Sequence, residues 1–206
     1  MIGKLINKIR KTCEVLKDYS YEKICDVDNI EYTETGYKEN DLPPNDGWKP
    51  YPKGSRLYGN DRHYWLKMSF KTPSAPQNRN IILRSSTGYE GERDTINHTD
   101  LRLEPETDYD IYIYYYTGSD KVSCEFSLKL YYIDCNTNDL YYDISVPLSA
   151  CIDVYNENSY EYSQTVRILN SACDLLDLNY PYSDEYYLGL KNASQYLKQE
   201  YYNKLC

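Results

Sequence analysis

The pattern of apolar and polar residues changes along the chain. The first residues repeat apolar side chains at helical spacing, which predicts an N-terminal helix over residues 1–18. The positions that form this stripe are Ile2, Leu5, Ile6, Ile9, Cys13 and Leu16. No regular period follows in residues 19–60, where the turn-forming run DLPPNDG at 41–47 predicts irregular structure.

From residue 61 to residue 134 the pattern alternates with the two-residue period of β-strands. The apolar positions are Tyr64, Leu66, Met68 and Phe70 in one run, Tyr109, Ile111, Ile113 and Tyr115 in another, and Cys124, Phe126, Leu128, Leu130 and Tyr132 in a third. A short Ile-Ile-Leu strand is predicted over residues 80–86. Because turn residues separate these runs, we predict an antiparallel β-sandwich over residues 19–134, with one buried face in each sheet.

The helical period returns after Asp134, and two N-cap residues mark where helices begin. Ser159 precedes one apolar seam and Ser183 precedes a second. The seams are Tyr162, Val166, Leu169, Cys173 and Leu176, and then Leu190, Ser194, Leu197, Tyr201 and Leu205. The break at Pro181 between them predicts a helical hairpin within residues 135–206. The predicted fold class is therefore α+β.

Composition narrows the class of protein and of partner. The chain has 206 residues, of which 41% are hydrophobic, enough for a packed core. Its net charge of −9 disfavours nucleic acid and anionic membrane surfaces as partners. Lysines interrupt the N-terminal apolar stripe, so it does not look like a signal peptide. The seven cysteines include no C-x-x-C pair, which indicates reduced thiols and a cytoplasmic location.

Residues that could carry out chemistry are few. A histidine metal site would need both His63 and His98, and nothing in the sequence brings them together. Glu90, Glu92 and Asp94 could be compared with the carboxylates of a glycosidase, but acidic residues in a glycine-containing loop are typical of solvated turns. We therefore predict no catalytic residue, no metal ligand and no cofactor in this chain.

Tyrosine is unusually frequent, with 27 residues against 2 phenylalanines and 2 tryptophans. A tyrosine ring can fill a core while its hydroxyl finds a partner at the edge, and an exposed ring can stack on a sugar. Tyr112, Tyr114 and Tyr116 share one face of a predicted strand, and this face points outward if Ile111 and Ile113 point inward. These three tyrosines are the candidate carbohydrate-binding residues.

Several blocks, in collinear order, resemble the N-terminal region of the bacterial and cytosolic-type α-mannosidases of glycoside hydrolase family 38. They are Gly47-Trp48, GSRLYGNDRHYW at 54–65, Ile82-Leu83 with TGYEGE at 87–92, NHTD at 97–100, YIYYYTG at 112–118, LYYD at 140–143 with Val146-Pro147-Leu148, LLDL at 175–178, and Pro181-Tyr182-Ser183. Each block is weak by itself, and the resemblance depends on their order along most of the chain.

The resemblance implies a galactose-binding-like β-sandwich as an ancillary domain, followed by a helical connector towards a catalytic domain. In the full family enzyme, a divalent metal (zinc or cobalt) and a carboxylate nucleophile hydrolyse terminal α-mannosides with retention. The family's His-x-Asp metal motif has no counterpart in these 206 residues. The resemblance therefore implies a structural portion of a mannosidase, inactive alone, whose partners are the catalytic domain and other copies in a homo-oligomer.

One departure from the family leaves alternatives open. Only two residues separate Asp94 from Asn97, where the family has a longer segment, so the sandwich is expected to lack a strand. One alternative is a free-standing carbohydrate-binding module that uses Tyr112, Tyr114 and Tyr116, although such a module does not need a long helical segment. The other is a truncated remnant without function, which is expected to be marginally stable.

Overall fold

A computed structural model describes residues 2–36, 42–89, 97–118 and 122–203. Over these residues the chain is an α+β protein with four α-helices and two antiparallel sheets. Its contacts divide it into a helical unit, Met1–Glu22 with Ile133–Cys206, and a sheet unit, Lys23–Tyr132. None of the helices in the described ranges is both long enough and apolar enough to cross a membrane.

The helical unit places the N-terminal helix together with the C-terminal ones. Its helices are α1 at Ile2–Ser20, α2 at Cys135–Val154, α3 at Tyr160–Cys173 and α4 at Asp184–Leu197, which a π-helical turn follows at Lys198–Tyr202. Contacts join α1 to both α2 and α3, and α4 packs on α2 and α3. One core results, in which Leu16, Ile144 and Leu169 are fully buried. Apolar burial of this kind is the main stabilising term for a helical unit.

Three polar residues begin the helices after residue 133. Asp134 caps α2 by accepting from the Thr137 N–H, and Ser159 caps α3 by accepting from the Tyr162 N–H. Ser183 caps α4 by accepting from the Tyr186 N–H. The helix starts predicted at Ser159 and Ser183 are therefore confirmed.

Helix α2 was not delimited by the sequence pattern, because it is apolar on more than one face. Ile144 and Leu148 are buried, but Val146 is exposed, so no single stripe stands out. Pro147 lies inside the helix and cannot donate the N–H that would bond the Asp143 carbonyl. The Tyr202 hydroxyl donates to that carbonyl at 3.2 Å, which compensates for the missing helical bond.

The sheet unit contains nine strands within the described ranges. They are β1 at Tyr21–Asp26, β2 at Ile30–Thr35, β3 at Lys49–Pro50, β4 at Arg56–Gly59, β5 at His63–Lys71, β6 at Asn80–Tyr89, β7 at Asn97–Leu103, β8 at Asp108–Tyr116 and β9 at Val122–Ile133. The first sheet has the order β1-β9-β6-β7, with β4 also paired to β9. The second sheet has the order β3-β2-β5-β8.

Side chains from both sheets form one buried cluster. Leu66 and Met68 enter it from β5, and Leu83 and Leu128 enter it from the first sheet. The alternation predicted for β5, β8 and β9 thus agrees with the side chains that face this cluster. The prediction of irregular structure over residues 19–60 was wrong for four short strands, β1 to β4. Charged residues interrupt β1 and β2, so pairing with longer strands, rather than local pattern, forms them.

Candidate ligand-binding face

The outward side of the second sheet carries a cluster of aromatic side chains. On β8, Ile111 and Ile113 pack towards the buried cluster, so the alternate residues point away from it. Tyr112 and Tyr116 each expose 42% of their surface, and Tyr114 between them is half-buried. The three tyrosines singled out in the sequence therefore lie on the outward face.

Strand pairing adds aromatic residues from β5 to the same face. The antiparallel register sets His63 opposite Tyr116 and Trp65 opposite Tyr114. Directly opposite residues share a face, so the four side chains lie next to each other. Trp48, just before β3, contacts Tyr112 at a ring-centroid distance of 6.1 Å. We call the resulting set the aromatic face; its members are Trp48, His63, Trp65, Tyr112, Tyr114 and Tyr116.

Ring contacts connect most members of the aromatic face. His63 stacks on Tyr116 with centroids 4.8 Å apart and an interplanar angle of 27°. Trp65 meets Tyr114 edge-on, with centroids 5.2 Å apart and an angle of 66°. The Tyr114 hydroxyl also lies 2.5 Å from His63 Nδ1. These contacts restrict the rotation of each ring, so the face is ordered before any ligand binds.

One end of the aromatic face meets a short loop with an unusual backbone. Gly59 has φ = 129°, where an L side chain is strained, and an added Cβ would also clash with the Arg62 side chain. Asp61 has φ = 51°, which aspartate tolerates better than most residues. The buried Thr117 hydroxyl donates to the Gly59 carbonyl at 2.9 Å and accepts from the Arg62 N–H at 3.1 Å. The loop is thereby held to the end of β8.

This loop presents charged groups beside the rings. The Tyr116 hydroxyl donates to the Asp61 carboxylate, and that hydrogen bond is the main reason why the pKa of Tyr116 lies above its usual value. The Arg62 guanidinium donates to Glu34 at 2.7 Å. Hydroxyl, carboxylate and guanidinium groups therefore lie at the edge of the stacked rings.

An open depression lies at this end of the face, with a volume of ≈ 820 Å³. Its lining residues are Thr35, Gly36, Asp61, Arg62, His63, Tyr114 and Tyr116. The Thr35 Oγ1 atom is shielded from solvent and has no hydrogen-bond partner among the described residues. The depression thus combines three aromatic side chains with charged and polar groups.

The opposite end of the face contains Lys67. Its ammonium group lies 5.7 Å from the centre of the Trp48 ring and 3.8 Å from a Glu31 carboxylate oxygen. The Trp48 indole N–H donates to the Pro44 carbonyl at 3.1 Å, which fixes the ring. An ion pair with Glu31 and a cation–π contact with Trp48 therefore hold Lys67 against the sheet.

The sequence pattern missed half of the aromatic face. Tyr64, Leu66 and Met68 alternate along one face of β5, and the same alternation places His63 and Trp65 on the other face. The position of Trp48 on this face could not be predicted from the sequence pattern, because it depends on how β3 pairs with β2.

The remaining candidate residues are considered within the part of the chain that the structure describes. No group of three or more histidine, cysteine, aspartate or glutamate side chains suited to a metal ion occurs in the described part of the chain. The acidic residues Glu90, Glu92 and Asp94, and the shortened segment that follows them, lie outside the described residues.

Neither a protein-family model nor a curated protein matches this chain. The resemblance to family 38 α-mannosidases therefore stays a prediction, and the geometry of the aromatic face has to support any functional proposal.

Proposed function

We propose that this chain is a non-catalytic module whose aromatic face binds carbohydrate. The observation that carries the proposal is the set of connected, partly exposed rings on β5 and β8, with polar groups at the edge. One side of a pyranose ring presents C–H groups that pack on an aromatic face, while its hydroxyls need hydrogen-bond partners. The rings of Tyr116 and His63 can pack on the C–H groups of the sugar. The side chains of Asp61 and Arg62 can form hydrogen bonds with its hydroxyls.

Charge supports a sugar over a phosphate-bearing ligand. Phosphate recognition relies on clustered Lys and Arg side chains. Here Arg62 is bonded to Glu34 and Lys67 lies beside Glu31, so both cations have carboxylate neighbours. Asp61 adds a further negative group at the depression.

We further propose that the sheet unit is a β-sandwich of the galactose-binding-like kind. The single buried cluster with members from both sheets supports this. A missing strand after β6, expected from the short link between Asp94 and Asn97, stays part of the proposal.

A second candidate is the ancillary role in an α-mannosidase. One observation favours it. Three members of the aromatic face come from two of the blocks that resemble the family, Gly47-Trp48 and His63-Tyr64-Trp65. In that role the chain packs against a catalytic domain, contacts other copies and is cytoplasmic. The zinc or cobalt ion and the hydrolysis of α-mannosides belong to that catalytic domain.

Calorimetric titration tests sugar binding. Mannose, α-linked mannobiose and a panel of neutral disaccharides are titrated at millimolar concentration into the chain, the Tyr114→Ala variant and the Tyr58→Ala variant. Tyr58 is an exposed tyrosine on β4 in the other sheet, so its loss is the matched control. We expect binding that Tyr114→Ala weakens at least about tenfold and that Tyr58→Ala leaves unchanged. No heat with any sugar would overturn the proposal.

The non-catalytic part has its own test. The chain is incubated with a chromogenic α-mannoside, with and without added zinc or cobalt. We expect no release of the chromophore in either case. Turnover that a chelator abolishes would show that the chain holds a catalytic centre.

A further inference from the structure

We propose that the aromatic face takes an extended chain of neutral sugars rather than a single terminal sugar. This inference rests on the proposed function and specifies its ligand. Three features of the face carry it: its length, the exposure of its two ends and the pairing of its charges.

The first feature is length. Tyr112, Tyr114 and Tyr116 occupy successive outward positions on β8, and the four residue steps from the first to the last span roughly 14 Å. Trp48 contacts Tyr112 and Lys67, and Lys67 lies opposite Tyr112 on β5, so Trp48 widens the face at that end. A pyranose ring is similar in size to one aromatic ring. A single sugar would therefore cover one part of the face and leave the rest unused, whereas a chain of several sugars can contact successive rings.

The second feature is openness at both ends of the row. Tyr112 and Tyr116 are its terminal tyrosines, and each exposes 42% of its surface. A site for a single small ligand usually buries most of that ligand in a closed pocket. The depression beside Asp61 and Arg62 is instead open to the outward side of the sheet. Among the described residues, both terminal rings therefore remain accessible to a ligand that spans the row.

The third feature is the pairing of charges along the face. Among the described residues, the cations at its edges are Arg62 and Lys67, which lie beside Glu34 and Glu31. The Asp61 carboxylate accepts the Tyr116 hydroxyl and adds one negative charge. Within the described part of the face, a chain of uronic acids or sulfated sugars would meet carboxylates without an unpaired cation to balance it. The face therefore suits neutral sugars, whose hydroxyls can bond to either sign of charge.

The two tryptophans of the chain report on two different positions of the face, one beside Tyr112 and one beside Tyr114. Both belong to the aromatic face, so the tryptophan fluorescence of the protein reports on this face alone. In a Trp65→Phe variant the emission comes from Trp48, near Tyr112. In a Trp48→Phe variant it comes from Trp65, which contacts Tyr114. Each variant keeps an aromatic ring at the substituted position.

The experiment titrates each variant with neutral mannose oligomers of one, two and four units, and with a tetramer of galacturonic acid. We expect the neutral tetramer to bind about tenfold more tightly than the monomer, because it covers more aromatic surface. The monomer should change the Trp65 emission only, since the polar depression is at that end. The tetramer should change the emission of both tryptophans.

Substitutions at the two ends complete the test. Tyr112→Ala should weaken the tetramer about fivefold and leave the monomer unchanged, whereas Tyr116→Ala should weaken both. Tyr58→Ala is again the matched control. Equal affinity for monomer and tetramer would overturn the extended-chain inference but keep the proposed function. Equal binding of the galacturonic acid tetramer would overturn the preference for neutral sugars.

Two outcomes would remove the basis of the inference itself. If no sugar of any length changes the fluorescence of either tryptophan, the proposed function fails. If sedimentation shows a dimer that Tyr112→Ala dissociates, the aromatic face is an interface between proteins, and the sugar proposal is wrong.

Discussion

The helical unit and the sheet unit both collect tyrosines, but they use them in opposite ways. In the helical unit, Tyr186 is only 1% exposed, and its ring contacts Tyr19, Tyr182 and Tyr187. In the sheet unit, Tyr112 and Tyr116 are 42% exposed on the outward side of a sheet. The first group is part of a core, and the second is surface that the fold leaves open.

The hydroxyl groups show the same contrast. The Tyr186 hydroxyl bonds the fully buried Thr137 hydroxyl at 2.7 Å, and burial raises the pKa of Tyr186 well above its usual value. The pKa of Tyr116 is also raised, but chiefly because its hydroxyl donates to Asp61 at the surface. A tyrosine-rich composition therefore does not indicate one function. The burial of each ring decides whether it stabilises the protein or can contact a ligand.

The largest difference is expected from removing one ring in each unit. Tyr186→Ala should lower the free energy of unfolding by about 3–5 kcal/mol, because it leaves a cavity and removes the partner of Thr137. Tyr116→Ala should lower it by less than about 1 kcal/mol. Urea unfolding followed by circular dichroism measures both. Equal costs would mean that the aromatic face is a second core, and the proposed site would lose its basis.

A smaller difference is expected from two aspartates that accept tyrosine hydroxyls. Asp134 is 1% exposed and bonds both the Tyr187 hydroxyl, at 2.5 Å, and the Thr137 N–H. Asp134→Asn keeps one acceptor oxygen for the cap but loses the other, so we expect a cost of about 1–3 kcal/mol.

Asp61→Asn is the matched change in the sheet unit, at an exposed position whose left-handed backbone asparagine tolerates. It should cost less than about 0.5 kcal/mol. The two variants are compared by the same urea unfolding. A larger cost for Asp61→Asn would contradict the view that only the helical unit depends on such bonds.

The smallest effect is expected when the pH is lowered and Asp26, in the sheet unit, takes up a proton. Hydrogen bonds lower the pKa of Asp26 from 3.8 to about 2, and the larger contribution comes from Lys23 and the smaller from Lys53. A lowered pKa in the folded state means that the interaction stabilises the protein above pH 3.8 and is lost as the pH falls through about 2. The effect is small because both lysine partners of this partly buried carboxylate are exposed to solvent.

Unfolding measured across this pH window checks the sign. Asp26→Asn should flatten the dependence of stability on pH between pH 3.8 and about 2. Asp108→Asn, at an exposed carboxylate of the sheet unit, is the control. A steeper dependence in Asp26→Asn would mean that the lysine contacts do not stabilise the fold.

The parts of the fold that follow from local pattern could be predicted from the sequence. The apolar stripe of α1, the caps at Ser159 and Ser183, and the alternation in β5, β8 and β9 depend on residues close together in the chain. The same alternation placed Tyr112, Tyr114 and Tyr116 on one face. Their orientation follows once Ile111 and Ile113 are assigned to the core.

The parts that depend on distant partners could not be predicted. The short strands β1 and β2 contain charged residues, and their pairing with longer strands forms them. The helix α2 contains Pro147, and a distant tyrosine, Tyr202, bonds the carbonyl that the proline leaves free. In each case the stabilising contact joins residues far apart in the chain, and no local window contains both.

The sequence by itself determined the fold class, the start of most helices and the outward row of tyrosines, because each depends on a short repeat of apolar residues. Only the tertiary structure brought His63, Trp65 and Trp48 beside that row. It also placed Asp61 and Arg62 at the end of the row, through a loop that Thr117 holds. Strand register decides which side chains become neighbours, and register is set by pairing across the sheet, which a one-dimensional pattern does not contain.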